Sequence, residues 1–125
     1  MQKGSILIVN FGKRIPSPLE NYLINNHYTI LKAFNTEEIL TVLSTSKPDV
    51  IILENIDLSD ISGIEALKEI RYESTIPIMV TTWTDEPEKT ILQAFEEGAD
   101  DVFINYYSLE LLAKKLQAIL RRVLQ

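Results

Sequence analysis

The chain has 125 residues, of which 46% are hydrophobic and 24% are charged, with a formal net charge of −6 at pH 7. This length predicts a single domain over residues 1–125, and the negative charge opposes direct binding to nucleic acid because the phosphates would be repelled. With no cysteine and one histidine, the chain offers no disulfide framework, no thiol chemistry and no histidine-based metal site.

The sequence carries no signal for a membrane. No apolar run approaches the ~18 residues of a membrane span, and the start, MQKGSILIVN, is typical of a strand rather than of a signal peptide. We therefore expect a cytoplasmic protein without membrane contact. There are no repeats or internal linkers in this sequence, and Arg121 and Arg122 are a candidate point after which a further domain would follow.

Apolar runs alternate with amphipathic segments from the start of the chain. Ser5–Val9 is a continuous apolar run, which predicts a strand buried on both faces of a sheet. A helix is expected to begin near Pro18, and Tyr28–Lys32 predicts the second strand. Asn35 is expected to cap the second helix, with the Glu38 side chain reaching back to the helix start.

The middle of the chain repeats this pattern. Val50–Leu53 predicts a central strand, and Ile76–Thr82 predicts the fourth strand. Between them, Ser62 and Glu65 have the spacing of a capping box and predict the start of the third helix.

The last third of the chain supplies two more helices and one strand. The fourth helix is expected to open at residues 85–88 and to bury Leu92 and Phe95. Val102–Ile104 predicts the fifth strand, and Ser108 is expected to cap the last helix. Strands that alternate with helices through short loops predict a parallel sheet covered on both faces.

We therefore expect an α/β fold of the (βα)5 type, with a five-stranded parallel sheet in the order 2-1-3-4-5. In open α/β sheets, ligands bind beyond the carboxyl ends of the strands. Glu54, Asn55 and Asp57 follow the central strand, so they stand where a functional site is expected.

Six phrases carry a resemblance to a known family: ILIV, KPDVIIL, DLSDISGIEALKEIR, IPIMVTT, EEGADDVF and LELLAKKLQAILRR. In this order they resemble the CheY-like receiver domains of response regulators over nearly the whole chain. The resemblance implies the three-layer flavodoxin or CheY-like sandwich. The family's activity depends on a few polar positions, which have to be compared one at a time.

The first of these positions is the phosphoacceptor. The family pattern is roughly PDLIILDINLPDMSG, in which the Asp after the apolar run accepts the phosphoryl group, whereas this chain reads PDVIILENIDLSDISG and has one extra residue. Counting back from the Ser-Gly pair at 62–63 places Asn55 in the acceptor slot. Counting forward from the Pro-Asp pair at 48–49 places Glu54 there. The loop side retains more matching residues, which favours Asn55.

The resemblance also implies a Mg²⁺ site in the family, formed by an acidic pair after the first strand, the acceptor and a loop carbonyl. Asn10 and Phe11 occupy the positions of the acidic pair here. Asn10 supplies one neutral ligand, and Phe11 supplies no ligand. With Asn55 in the acceptor slot only the Asp57 carbonyl remains, so we expect no metal and no cofactor. An amide is also too poor a nucleophile to accept a phosphoryl group, and Glu54 in the slot would imitate the phosphorylated state.

The remaining family positions lie in or directly after the fourth and fifth strands. Thr82 keeps the hydroxyl that binds the phosphoryl group, and Trp83 replaces a small residue at the phosphate entrance. The family's Lys-Pro-Phe reads Asn105, Tyr106 and a second tyrosine, which removes the cation that pairs with the phosphoryl oxygens. Trp83 and Tyr106 are candidates for closing the former phosphate pocket. Val102 replaces the aromatic switch residue.

The acidic pair, the acceptor, the lysine and the aromatic switch residue are all replaced, so we expect a degenerate receiver that is not an enzyme. Such a domain would signal through protein contacts without phosphorylation. A histidine kinase or a C-terminal DNA-binding domain would be the partner. One alternative is a receiver phosphorylated at a rearranged acid, Glu54 or Asp57. Another is a small-molecule sensor whose former phosphate site is lined by Phe11, Trp83 and Tyr106.

The final helix, SLELLAKKLQAILRR, resembles that of OmpR/PhoB-type receivers, which often reads SLEELLARIRALLRR. Such receivers form two-fold dimers through helix four, strand five and helix five, held by ion pairs. Ile91 and Leu111 occupy two positions that usually form one of these pairs. The sequence therefore predicts an apolar homodimer contact on this face, assisted by Asp101 and Glu97 facing Lys115.

Overall fold

The computed structural model describes residues 3–11 and 17–123. Strands and helices alternate as β1 (Ser5–Val9), α1 (Pro18–Asn25), β2 (Thr29–Ala33), α2 (Thr36–Thr45), β3 (Val50–Leu53), α3 (Ile61–Glu73), β4 (Ile78–Thr82), α4 (Pro87–Glu96), β5 (Asp101–Ile104) and α5 (Leu109–Val123). The strands form a parallel sheet in the order β2-β1-β3-β4-β5. The predicted (βα)5 architecture is confirmed.

The sheet separates two apolar cores, because successive strand residues face opposite layers. Ile51 in β3 packs in one core with residues of α2, α3 and α4, among them Ile70. Ile52, its neighbour, packs in the other core with residues of α1 and α5, among them Leu116. Each of these fully buried side chains stabilises the fold by about 1.5–3 kcal/mol. The central strands β1, β3 and β4 are therefore held firmly between the two helical layers.

Side-chain caps fix the starts of several helices. Ser17 accepts a hydrogen bond from the Glu20 N–H at the start of α1, and Asn35 accepts one from the Glu38 N–H at the start of α2. The Glu38 carboxylate in turn accepts from the Phe34 N–H, which confirms that this side chain reaches back to the helix start. Such caps satisfy backbone donors that have no partner within the helix.

The start of α3 differs from the predicted capping box at Ser62 and Glu65. The helix begins at Ile61, and the carboxylate of Asp60 accepts the Ser62 N–H at 3.1 Å. A carboxylate at this position both satisfies the first free donors and interacts favourably with the positive end of the helix dipole. The helix therefore starts earlier than the Ser-x-x-Glu spacing indicated.

The buried face of α4 also differs from the prediction. Leu92 and Phe95, expected to face inward, are 58% and 46% exposed, whereas Ala94 is fully buried in the core with α2 and α3. Ile91 is partly buried rather than free on the surface. The small Ala94 side chain is the one that meets the sheet, so two large apolar side chains remain on the outside of α4.

Three strands are shifted slightly from their predicted bounds, among them β5, which begins at Asp101 rather than at Val102. β2 begins at Thr29 because Tyr28 belongs to the turn out of α1, where its N–H bonds to the Leu23 carbonyl. β4 begins at Ile78, so Pro77, which has no N–H to donate, lies just before the strand. Among the described residues, no helix is long and apolar enough to cross a membrane.

Candidate functional site

Two polar residues meet where β1 and β3 end. Val9 pairs with Leu53 in the sheet, and the Glu54 N–H donates to the Val9 carbonyl at 2.9 Å. The next residue on each strand, Asn10 and Glu54, therefore lies at the same edge. The side-chain amide of Asn10 donates to the Glu54 carboxylate, with Nδ2 and Oε1 3.1 Å apart. Glu54 is only 4% exposed, so a carboxylate is held inside this edge of the sheet.

Asn55, the residue favoured for the acceptor slot, takes a different direction. Its φ of 55° puts the backbone in the left-handed region, which Asn tolerates better than most residues. Its N–H donates to the Thr81 hydroxyl at 2.8 Å, while its side chain is exposed beside Phe11. Of the two alternatives for the slot, Glu54 is the residue that directly follows β3 and contacts Asn10.

The loop between β3 and α3, which contains the extra residue, packs closely against the start of α3. A Cβ atom at Gly63 would lie 2.1 Å from the Asp57 carbonyl oxygen, so only glycine fits at that position. The Asp57 carboxylate accepts from the Ser59 hydroxyl at 2.6 Å and the Ser59 N–H at 2.9 Å. These bonds lower the pKa of Asp57, which is fully solvated and stays ionised.

Thr81 and Thr82, at the end of β4, both form hydrogen bonds with the loop between β3 and α3. The Thr82 hydroxyl donates to the Ile56 carbonyl at 2.6 Å, and Thr82 is buried. The neighbouring Thr81 hydroxyl accepts from the Asn55 N–H, and the Thr81 carbonyl accepts from the Ile56 N–H. The hydroxyl that the resemblance assigned to phosphoryl binding therefore holds the β3–α3 loop against β4.

Asn105, in the position of the family's lysine, joins two loops. Its φ is 56°, its N–H bonds to the Thr82 carbonyl, and its side-chain oxygen accepts from the Thr84 N–H at 2.8 Å. A neutral amide that is engaged in this way offers no positive charge to a phosphoryl group. The side chain instead fixes the β4–α4 loop to the end of β5.

Tyr107 is a site residue that the sequence analysis did not single out. It is half-buried, its ring packs against Phe103 with centroids 5.6 Å apart, and its hydroxyl is hydrogen-bonded to Thr81. Burial, together with the negative charge of Glu54, raises the pKa of Tyr107. The signal was present in the sequence, since this tyrosine replaces the phenylalanine of the family's Lys-Pro-Phe and adds a hydroxyl.

Of the three aromatic side chains expected to line one pocket, Phe11 lies apart from Trp83 and Tyr106. Phe11 is 38% exposed and lines a cavity of about 410 Å³ with Asn35 and Asn55, whereas Trp83 lines a separate cavity of about 320 Å³. Tyr106 is 91% exposed and contacts Trp83 edge to face, with ring centroids 5.1 Å apart. The expectation of a shared pocket is corrected because β3 lies between β1, which Phe11 follows, and β4, which Trp83 follows.

The candidate ligand atoms at the ends of β1 and β3 do not suit a hard divalent cation, because such a cation prefers several charged oxygen ligands. Asn10 offers a neutral amide that already donates to Glu54, and the Asp57 carbonyl, the loop ligand expected from the resemblance, accepts from the Asp60 N–H. Within residues 3–11 and 17–123, no three acidic, histidine or cysteine side chains converge on one point.

The expected dimer face carries exposed apolar residues, but not all of those predicted. Leu111 is 50% exposed, as is required for a contact, whereas Ile91 is partly buried and Leu92 and Phe95 are exposed instead. The apolar surface on α4 and α5 is therefore made by Leu92, Phe95 and Leu111.

The ion pairs on this face are formed within the chain. Lys115 Nζ lies 3.4 Å from an Asp101 carboxylate oxygen of the same chain, whereas the sequence analysis expected this pair to assist a contact between two copies. Glu97, expected to face Lys115, instead lies 3.9 Å from Lys68 on α3. Asp101, Lys115 and Glu97 thus have ionic partners in the same chain.

Comparison with known proteins agrees with this fold. Residues 6–117 match the family described as Response regulator receiver domain. Because that match spans most of the sequence, the chain belongs to the receiver domains of two-component response regulators.

The relatives give the wider setting. The alkaline phosphatase synthesis transcriptional regulatory protein PhoP of Bacillus subtilis is 34% identical over 118 residues, which cover 94% of this chain and 48% of PhoP. The probable transcriptional regulator ycf27 of Cyanidium caldarium is 36% identical over 119 residues, which cover 94% of this chain and 47% of that protein. The chain thus spans about half the length of the curated relatives it matches.

A solved structure shows the same fold. The crystal structure of a two-component response regulator from Clostridium difficile superposes with a TM-score of 0.81 at 38% identity, covering 96% of this chain and 98% of that chain. CheY4 of Vibrio cholerae, a chemotaxis response regulator, superposes with a TM-score of 0.74 at 25% identity, covering 93% of this chain and 98% of that chain.

Proposed function

We propose that this receiver domain acts without phosphorylation, as a non-enzymatic signalling module that works through protein–protein contacts. The observation that carries the proposal is the hydrogen bond between Asn10 and Glu54, which replaces the acidic pair and the aspartate acceptor. In our proposal Glu54 occupies the acceptor slot and supplies a fixed negative charge where phosphorylation would add one.

The groups that surround Glu54 support this proposal. A phosphoryl group arriving there would add negative charge, and Asn105 supplies no cation to offset it. The Thr82 hydroxyl is already bonded to Ile56, so using it to bind a phosphoryl group would break a buried hydrogen bond. Phosphoryl transfer to the Glu54 carboxylate would need a metal ion, a lysine and a free hydroxyl for stabilisation, and in our proposal these groups are missing.

We further propose that the module forms a homodimer through α4, β5 and α5. Three exposed apolar side chains on this face, Leu92, Phe95 and Leu111, support the proposal because removing them from water favours association. A dimer of this kind needs no phosphoryl signal to form.

The relatives suggest where such a module acts. Two are named as transcriptional regulators, and the chain spans about half of their length. We therefore propose that it serves as the receiver of a cytoplasmic regulator whose partners are a histidine kinase or a C-terminal DNA-binding domain. The net charge of −6 opposes direct DNA contact by the receiver itself.

Incubation with acetyl phosphate and Mg²⁺, followed by intact mass spectrometry, tests the central proposal. We expect no phosphoryl adduct on the wild type. A matched quadruple variant restores the family's residues and shows whether the fold itself can accept a phosphoryl group. It combines Asn10→Asp, Phe11→Asp, Glu54→Asp and Asn105→Lys. An adduct on the wild type that disappears in Glu54→Gln or Asp57→Asn would replace the proposal with phosphorylation at a rearranged acid.

A further inference from the structure

The cavity lined by Trp83 is a cleft that does not include Asn10 or Glu54. It has a volume of about 320 Å³ and opens between the N-terminal ends of α3 and α4, below the loops that follow β3 and β4. Leu58 and Ile64 give it an apolar floor. The volume is at the lower end of the range of ~300–1,000 Å³ found for binding pockets.

The walls of this cleft are acidic. Carboxylates of Asp57, Asp85 and Glu86 line it, against the single ammonium group of Lys89. Lys89 Nζ lies 3.8 Å from a Glu86 carboxylate oxygen, so its charge is partly balanced within the chain. Hydrogen bonds from Ser59 keep the pKa of Asp57 low, so the cleft holds excess negative charge at neutral pH.

Two large apolar side chains that line the cleft are also exposed to solvent. Ile61, at the start of α3, is 77% exposed, and Trp83, after β4, is 65% exposed. Contact with the ring of Tyr106 orients the Trp83 indole. An exposed indole attracts a cation by its π-electrons and also packs well against an alkyl chain.

We propose that this cleft receives an arginine or lysine side chain from a basic segment of a partner protein, with apolar neighbours of that side chain covering Ile61 and Trp83. Charge complementarity carries the choice of occupant, since carboxylates bind guanidinium and ammonium groups and the protein has a net charge of −6. The apolar rim distinguishes a protein segment from a small free cation, which would leave both exposed side chains uncovered.

The cleft lies beside the proposed dimer face on α4. Thr90 lines the cleft, whereas Leu92 belongs to the apolar surface on the outside of α4. Lys89 and Gln93 line both the cleft and the groove that contains Leu92, so the two surfaces share an edge. The two proposals remain separately testable, because Leu92 and Phe95 do not line the cleft and the variants at Asp85 and Glu86 leave the exposed apolar side chains of the dimer face unchanged.

Fluorescence of Trp83, the only tryptophan in the chain, provides the test. The probe is a short peptide that repeats leucine and arginine, compared with a leucine–glutamate peptide and with spermidine. We expect a saturable change with the arginine peptide, weakened by salt, and no change with the glutamate peptide. The double variant Asp85→Asn with Glu86→Gln should bind roughly three- to tenfold more weakly.

Glu65→Gln is the matched control, because Glu65 is an exposed carboxylate on α3 that does not line the cleft. It should bind the arginine peptide as the wild type does. The Glu86 side chain makes no capping bond, and circular dichroism will verify that the double variant stays folded. Equal affinity of the double variant and the wild type, no saturable change, or spermidine binding as tightly as the peptide would each overturn the proposal.

Discussion

The side-chain amide of Asn10 donates a hydrogen bond to the carboxylate of Glu54 across 3.1 Å, joining the residues that directly follow β1 and β3. In the family that the chain belongs to, acidic side chains are expected at both positions. A neutral donor beside a single buried carboxylate removes the repulsion between two such acids and satisfies the buried oxygen. In our proposal this contact takes the place of a bound cation at this edge of the sheet.

Restoring the acid at position 10 should therefore destabilise the protein. Asn10→Asp replaces an attractive contact with two carboxylates about 3 Å apart, which we expect to lower the free energy of unfolding by about 1–3 kcal/mol at neutral pH. Urea titrations at several pH values measure this loss, which should shrink as the pH falls and one carboxylate takes up a proton.

The control for this substitution exchanges the two groups. In Asn10→Asp combined with Glu54→Gln, one carboxylate and one amide still face each other, so much of the lost stability should return. If the single variant is as stable as the wild type at neutral pH, the contact between Asn10 and Glu54 has no energetic role.

Tyr107 should make the protein less stable at alkaline pH. Its pKa in the folded state is raised above 10.0 by burial and by Glu54, so the folded protein holds this proton more tightly than the unfolded chain does. The contribution is fully present below pH 10.0 and is lost as the pH rises through the folded-state pKa. We expect Tyr107→Phe to lose less stability than the wild type over this window.

Tyr28 separates the two causes of that shift, because burial raises its pKa without a contribution from Glu54. Glu54→Gln should therefore lower the titration midpoint of Tyr107 and leave that of Tyr28 unchanged. Ultraviolet titration of tyrosinate, with Tyr28→Phe and Tyr107→Phe to assign the two groups, measures both midpoints. An unchanged Tyr107 midpoint in Glu54→Gln contradicts electrostatic coupling between the two residues.

The Thr82 hydroxyl should stabilise the loop between β3 and α3. Thr82→Val keeps the shape of the side chain but leaves the Ile56 carbonyl without its 2.6 Å hydrogen bond, which should cost about 1–3 kcal/mol. Thr82→Ser retains a hydroxyl and should cost less. Chemical denaturation of both variants makes the comparison, and equal losses would mean that packing of the methyl group, rather than the hydrogen bond, is what matters.

Gly63 should be irreplaceable in the loop that contains the extra residue. Gly63→Ala would bring Cβ to 2.1 Å from the backbone oxygen of Asp57, so we expect a loss of about 3 kcal/mol as the loop moves away from α3. Thermal unfolding measures the effect. Ser62→Ala, at an exposed neighbouring position, is the control and should change stability by less than ~0.5 kcal/mol.

Self-association should depend on the apolar residues that α4 exposes. Leu92→Arg or Phe95→Arg places a charge on the proposed dimer face, so we expect sedimentation equilibrium to show a monomer where the wild type associates. Tyr72→Arg changes a side chain that is 88% exposed on α3 and should leave association unchanged. A wild type that is monomeric at high micromolar concentration would remove this interface.

Local sequence patterns determined the order and most boundaries of the helices and strands. The apolar run Ser5–Val9 became β1 with the predicted bounds, because a strand buried on both faces needs continuous apolar residues. Asn35 and Ser108 cap the helices they were expected to cap, since capping depends on side chains within three residues of the helix start.

The buried face of α4 was decided by tertiary packing. Leu92 and Phe95 have helical spacing, but so do Ile91 and Ala94, and periodicity alone does not say which pair meets the sheet. The structure buries Ala94, because a small side chain allows the helix to lie close to the strands.

The site was likewise decided by pairing between distant parts of the chain. Counting along the sequence from either side of the extra residue left Glu54 and Asn55 as alternatives for the acceptor slot and favoured Asn55. The parallel register of β1 and β3 brings Glu54 to Asn10, which lies 44 residues away in sequence, and no local pattern contains that distance. The same sheet order keeps Phe11 apart from Trp83, because β3 lies between the strands that they follow.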